Sequence, residues 1–316
     1  MKKITSVYLI LMLLSLCGCG INTQNSDTRF VLDTVATITA NSNKKTISGA
    51  FELCSEYEKL LGKTSQSGDV YRLNNSKGYC DVSEETFKII ERSLYFSQIS
   101  NGKFDITIYP VSVLWDFKNQ VVPSKDEISE ALKNVDYQSI QLKDGRVNLN
   151  GKKIDLGGIA KGYIADKVTE YLKENGAKKG IVNLGGNVVV FGKEYKVGIQ
   201  NPFADGVIAT LCLKDKTAVT SGIYQRFIEK DGKKYHHIID TTTGYGVENE
   251  LASVTVVGNS SLDCDALSTI CMLAGLEQGL EIIDSMPETE AVFIEKSEKI
   301  TLSKGLCEKK GAIYFK

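Results

Sequence analysis

Apolar residues recur along this chain at two different periods. In Phe30–Ala40 they alternate with polar and β-branched neighbours, the pattern of a half-buried strand. In Thr46–Leu61 the residues Ile47, Phe51, Leu53, Leu60 and Leu61 instead form the apolar side of a helix. A polar loop, Gly62 to Asp69, follows. Ser83-Glu84-Glu85-Thr86 opens a second helix that runs to Ser100 and is stopped by Asn101-Gly102. Ser124 is the N-cap of a short helix reaching Asn134. Ile140–Leu142 and Val147–Leu149 flank Asp144-Gly145, a hairpin signal. Ala160–Asn175 reads as a helix closed by Gly176. From Gly180 to Ile239 mostly short strands are expected, separated by Gly, Asn and Asp turns. Leu251–Val257 is another strand and Ser261–Ala274 a helix, and short strands finish the chain.

Strands and helices mix without strict alternation, which predicts an α+β fold rather than a doubly wound sheet. Ile154–Gly158 and Val182–Gly186 read alike and are candidates for equivalent turns in two lobes. No linker is evident, so residues 30–316 are expected to form a single domain.

The N-terminal stretch has a different character. Lys2 and Lys3 precede an apolar run, Val7–Leu16, too short for an ordinary membrane span. It ends in Leu16-Cys17-Gly18-Cys19, which is similar to a bacterial lipobox with cleavage before Cys19 and lipid on its thiol. Residues 1–18 are then a lipoprotein signal peptide and residues 19–29 a polar, lipid-anchored tether. The protein is expected to be extracytoplasmic, held to a bacterial membrane by Cys19.

Hydrophobic residues make up 42% of the 316 positions and charged residues 24%, enough to bury a sizeable core. The net charge of −1 provides no basic footprint and argues against nucleic-acid binding. Beyond Cys19 stand Cys54, Cys80, Cys212, Cys264, Cys271 and Cys307, with no zinc-type spacing. An exported chain could pair some of them, but Cys264 and Cys271 are too far apart on one helix to bond to each other. Most read as small buried hydrophobes.

Four segments carry candidate chemistry. Asp155-Leu156-Gly157-Gly158-Ile159-Ala160-Lys161-Gly162 joins a glycine turn to a helix start, where free N–H groups and Lys161 favour an anion. Taken alone, such a turn more often serves tight packing. Asp265 and Thr269 share one helical face, a carboxylate and a hydroxyl suited to a hard cation such as Mg²⁺, although a capping arrangement gives the same pattern. His236 and His237, the only histidines, precede the turn Asp240-Thr241-Thr242-Thr243-Gly244. A histidine there serves as a base near neutral pH or as a plain surface residue. Phe104, Trp115 and Phe117 are either stacking surfaces for a flat ring or core.

Their order is more specific than any one of them. Leu32–Thr34, Gly68–Asn74, Phe104–Phe117, Asp155–Asp166, Asn183–Gly186, Thr220–Arg226, His237–Gly244 and Asp265–Thr269 together resemble the ApbE family of FAD:protein FMN transferases. The resemblance implies a T-fold-like α+β architecture of mixed sheets with packed helices in two closely joined lobes. It implies that Asp265, Thr269 and the carbonyl of Gly158 bind Mg²⁺. Leu32, Lys103, Phe104, Asp105, Asp155, Lys161 and His237 would contact FAD, with His237 as the catalytic base. FMN would pass to a Thr or Ser of a target flavoprotein, a membrane or extracytoplasmic redox protein, and AMP would leave.

The sequence also departs from the family pattern. Thr241 and Gly246 stand where prolines are usual, Asp33 replaces a glycine, and Thr64 falls where many members carry a tyrosine over the flavin. A more open flavin site admits water, which makes Mg²⁺-dependent FAD hydrolysis to FMN and AMP the alternative activity. A non-catalytic FAD-binding lipoprotein is the alternative from another class.

Overall fold

The computed structural model describes residues 24–316, so the leader and Cys19 lie outside the described residues. Its first element differs from the expected single strand. β1 (Asn25–Val31) and β2 (Thr34–Ala40) pair antiparallel about Leu32 and Asp33, whose φ angles are 57° and 56°. Positive φ at both central residues is the type I′ hairpin geometry, normally signalled by Asn or Gly. With Leu and Asp in those places the turn was invisible in the pattern. β1 also reaches back into residues 25–29, which were expected to be tether.

The helices follow their caps. α1 (Lys44–Leu61) starts at Asn43, whose side chain accepts the Thr46 N–H at 2.9 Å. α2 (Asp69–Asn75) follows the polar loop and was not expected. β3 (Tyr79–Asp81) leads to α3 (Glu84–Ile99), capped by Ser83. α4 (Tyr109–Ser112) is a single turn, and α5 (Lys125–Leu132) carries a capping box between Ser124 and Glu127. β4 (Gln141–Lys143) and β5 (Arg146–Asn148) form the expected hairpin around Asp144-Gly145 and pair with β3. α6 (Ala160–Glu174) ends before Gly176, as expected.

The next region holds longer strands than its turn residues implied. β6 (Gly180–Leu184) turns at Gly185-Gly186 into β7 (Asn187–Gln200), which pairs along most of its length with β8 (Val207–Gly222). A register shift between Val190 and Glu194, where Gly192 takes φ 81°, lets these two strands bend instead of breaking. The β6–β7 turn is therefore a hairpin. Ile154–Gly158 is an irregular approach to α6, so the two similar segments are not equivalent turns.

β9 (Phe227–Lys230) and β10 (Lys233–His236) form a separate hairpin, and β11 (Leu251–Gly258) runs into α7 (Ser261–Ala274). α8 (Leu276–Ser285) was not foreseen. β12 (Glu290–Glu295), β13 (Ile300–Leu302), β14 (Leu306–Lys309) and β15 (Ala312–Phe315) complete the fold.

Among the described residues the main sheet has ten strands. Its path is β1-β2-β6-β7-β8-β11-β12-β13, all antiparallel, and β15 joins β8 in parallel at Ile313↔Leu211. This is an α+β architecture. α1, α6 and α7 lie side by side on the sheet, with α8 beyond α7, and the main core is buried between these layers. A second cluster packs around the outer parts of β7 and β8 with β14 and β15. A third, centred on Val111, Trp115, Ile128 and Ile228, joins α4 and α5 to the β9–β10 hairpin. Among the described residues all six cysteines are free thiols, four of them buried, and no helix is long and apolar enough to cross a membrane.

Candidate active site

α6 and α7 bring the first group of candidate residues together. Gly162 on α6 has no room for a side chain. A Cβ there would lie 2.7 Å from Cβ of Asp265 and closer still to the Ser261 carbonyl oxygen. Backbone and carboxylate meet directly, and the Gly162 N–H donates to Asp265 Oδ2 at 2.8 Å. Asp166, one turn further along α6, accepts the N–H groups of Ser261 at 2.9 Å and Leu262 at 3.0 Å, which holds the start of α7 against α6.

Asp265 is only 5% exposed. Burial raises its pKa, opposed by Lys161, by the Gly162 N–H and by the Asn187 amide against the same carboxylate. Asn187 Nδ2 is buried and makes no full hydrogen bond. Thr269, one turn after Asp265, lies 3.4 Å from the Ser221 hydroxyl, and a Cβ on Gly158 would come within 3.8 Å of Thr269 Oγ1. Asp265, Thr269 and the Gly158 backbone thus form one polar locus.

Among the described residues no three His, Cys, Asp or Glu side chains cluster as a metal site. One buried carboxylate and a hydroxyl one turn along the helix are nevertheless the kind of sparse oxygen set that suits Mg²⁺, which draws its other ligands from phosphates and water. A buried carboxylate whose opposing partners are a backbone N–H, an amide and the Lys161 charge is an oxygen donor that a cation would further stabilise.

The loop before α6 carries the second group. Asp155 pairs with Lys63 at 2.6 Å and accepts from Ser112 at 3.0 Å and from the Gly157 N–H at 3.0 Å. Burial works to raise its pKa, but Lys63 and these donors outweigh it and keep the carboxyl ionised. Lys63 and Ser112 carried no motif and were not singled out from sequence. Phe104 is buried with its ring edge against Gly158, where a Cβ would meet Cε2 at 3.1 Å. Asp105 is committed locally. It accepts from Thr107 N at 2.7 Å, Thr107 Oγ1 at 2.6 Å and Tyr137 N at 3.0 Å, and burial raises its pKa. Its carboxylate braces the Lys103–Phe104 loop. That loop is also tied to the Asp240 turn, where Thr241 donates to the Gly102 carbonyl at 2.9 Å.

The third group surrounds His237. Its own N–H donates to the Arg226 carbonyl at 3.1 Å, and ring Nδ1 faces the same oxygen at 3.3 Å. Because a carbonyl only accepts, Nδ1 carries the proton and Nε2 keeps its lone pair. Burial, with Arg226, His236 and Lys161 nearby, pushes the imidazole down to about 4, so it is neutral near pH 7. Phe117 meets the ring edge-on at 6.4 Å, and Trp115, stacked behind Phe117 at 6.3 Å, donates from Nε1 to the Gly244 carbonyl at 3.0 Å. Trp115 is core, as the plainer reading had it. His236 points elsewhere and donates from Nε2 to the Val247 carbonyl at 2.9 Å. The missing turn proline is compensated by Asp240, whose side chain accepts the N–H groups of Thr242 at 2.7 Å and Thr243 at 3.0 Å.

A family model described as the ApbE family matches residues 32–293, from the β1–β2 turn to β12. The chain belongs to the ApbE family. An FAD:protein FMN transferase of Klebsiella pneumoniae is 36% identical to it over 266 residues, covering 81% of this chain and 84% of the relative. One from Treponema pallidum is 31% identical over 287 residues, covering 82% and 79%. The crystal structure of the ApbE protein of Thermotoga maritima superposes with a TM-score of 0.83 at 30% identity, covering 89% of this chain and 97% of that one. The Lys161 charge opposes the upward shift of Asp265 and adds to the downward shift of His237.

Proposed function

We propose that this ApbE-family chain is a Mg²⁺-dependent FAD:protein FMN transferase that uses the Asp265–Thr269–Gly158 locus and the His237 base. The carrying observation is the close approach of α6 to α7, where the Gly162 N–H donates to the buried Asp265 carboxylate one turn before Thr269, itself beside Gly158. FAD is the substrate. Lys161, at the start of α6, lies where N–H groups and a positive charge favour its pyrophosphate. Lys103 and Phe104, on the loop braced by Asp105, together with Asp155 and Leu32, bound the rest of the ligand.

The acceptor hydroxyl of a Thr or Ser loses its proton to His237 Nε2 as its oxygen bonds to the FMN-side phosphorus. The phosphorus–oxygen bond to AMP breaks, and AMP carries away that electron pair. The product is FMN in a phosphoester with the target flavoprotein. Mg²⁺, bound by Asp265, Thr269 and the Gly158 carbonyl, would neutralise charge on the pyrophosphate and on departing AMP. His237 is suited to its part because its low proton affinity in the free site keeps Nε2 available, and phosphate charge arriving nearby raises that affinity.

The lipobox-like Leu16–Cys19 supports anchoring to a bacterial membrane through Cys19, with the target a membrane or extracytoplasmic redox flavoprotein. Five residues, 20–24, separate Cys19 from β1, a shorter tether than the sequence implied.

The test is incubation with FAD, Mg²⁺ and a redox flavoprotein domain bearing the acceptor residue, followed by a denaturing gel. A fluorescent acceptor band is expected, absent with Asp265→Ala. AMP release without a labelled band would instead establish FAD hydrolysis.

A further inference from the structure

The β1–β2 turn holds two non-glycine residues, Leu32 and Asp33, in the left-handed region at φ 57° and 56°. Such a conformation is unfavourable for a residue like Leu, so something must hold it. Beneath the turn Thr34 packs against Gly185, where a Cβ would lie 2.7 Å from Cβ and Cγ2 of Thr34 and closer still to its Oγ1. Above it Arg226 donates to the Asp33 carbonyl at 3.1 Å and pairs with the Asp33 carboxylate at 2.9 Å. Arg226 is also the residue whose carbonyl receives the His237 N–H and faces Nδ1. Its side chain thus grips the strained turn while its backbone holds the imidazole.

We propose that Asp33 and Arg226 form a clasp that positions His237, keeping the Arg226 carbonyl where it takes the Nδ1 proton and leaves Nε2 free. Both are positioning residues, since neither touches the reacting atoms. The inference rests on the transferase reading only in naming His237 as the base. The pair's side chains are 48% and 73% exposed, so it adds little stability and is open to salt. Arg226, His236 and Lys161 are the charged and titratable groups that shift His237, and Asp33 reaches the ring through its ion pair with Arg226. His236 supplies an internal control, because its Nε2 donates to Val247 and its Nδ1 is buried without a partner. The two histidines should therefore hold opposite tautomers.

The experiment is nitrogen-15 NMR of histidine-labelled protein without FAD, reading the tautomer of each ring. The parent should show His237 protonated at Nδ1 and His236 at Nε2. In Asp33→Asn and in Arg226→Gln, His237 should move toward the Nε2–H form of free imidazole while His236 stays unchanged. Because Arg226→Gln removes packing as well as charge, salt at about 0.5 M, which shortens screening to a few ångströms, should produce the same shift in the parent. In AMP release, kcat should fall about tenfold in each variant with KM for FAD little changed, and the double variant should lose no more than either alone. A His237 that remains Nδ1–H in Asp33→Asn and in salt, or that is Nε2–H in the parent, overturns the clasp. If His237 is not the base, His237→Asn leaves turnover intact while the tautomer response persists, so the two failures are distinguishable.

Discussion

Gly162→Ala probes the contact on which the metal locus depends. In an unconstrained helix interior alanine is more favourable than glycine by about 1 kcal/mol, so propensity alone predicts a more stable protein. The packing predicts the opposite. The new methyl would stand 2.6 Å from the Ser261 carbonyl carbon and 2.7 Å from Cβ of Asp265, where ordinary contacts are about 3.5–4.0 Å. Backbone cannot rotate away as a side chain can, so α6 and α7 must part by about 1 Å at this point. Overpacking of this kind costs roughly 3 kcal/mol, leaving a net loss of about 2 kcal/mol and a fall in Tm of roughly 5 °C. The same movement stretches the 2.8 Å bond from Gly162 to Asp265 and carries Asp265 and Thr269 away from Gly158. A displacement near 1 Å in a preorganised site is worth about a hundredfold in rate. Circular dichroism melts and AMP release at saturating Mg²⁺ measure both effects. A variant that melts at or above the parent temperature and turns over at the parent rate would refute the claim that this close approach holds the site.

Other perturbations have signed outcomes. Asp155 is kept ionised by Lys63, so the pair's stabilisation is present above the ordinary carboxyl pKa and is lost as pH falls through its lowered folded value. Lys63→Met should cost about 2 kcal/mol at pH 7 after allowance for partial exposure, and the deficit should shrink toward pH 4 as the unpaired carboxyl protonates, read from urea midpoints. Asp166 is pushed up from 3.8 to about 6, chiefly by burial. Its contribution is therefore full below pH 4 and is lost as pH rises through 6, by up to about 3 kcal/mol, and Asp166→Asn should flatten that part of the stability profile. His237 stands near 4 in the free protein, so kcat/KM for FAD should show no acid limb from this group above about pH 5. His237→Asn should lower kcat by about a hundredfold or more, whereas a limb near pH 6.5 in the parent would contradict the half-buried, cation-flanked setting.

Elements with their own caps were legible in the sequence. α3, α5 and α7 start after Ser83, Ser124 and Ser260, and the first two were placed from those serines. The β4–β5 hairpin was legible because Asp144-Gly145 is a strong turn signal. The β1–β2 turn was not, because Leu32 and Asp33 adopt left-handed angles that only tertiary partners sustain. β7 and β8 were expected as fragments because glycines and acidic residues that mark turns elsewhere here mark a bend within paired strands.

The candidate site divides the same way. Asp265 and Thr269 drew notice because they are one turn apart on a helix, but it was the family resemblance, not the spacing or the glycine turn, that gave them and Asp155 their expected roles. Lys63 lies 92 residues from Asp155, and the Arg226–Asp33 pair spans 193, separations that no local pattern reports.

The most direct measurement is intact-mass analysis of a redox flavoprotein acceptor domain after incubation with FAD, Mg²⁺ and the enzyme, with AMP quantified in the same sample. Transfer at the site described here predicts one FMN added per acceptor by a phosphoester, one AMP released for each, and loss of both with Asp265→Ala. An acceptor that gains FMN equally with Asp265→Ala or without Mg²⁺, or AMP that forms while the acceptor mass never changes, would contradict it.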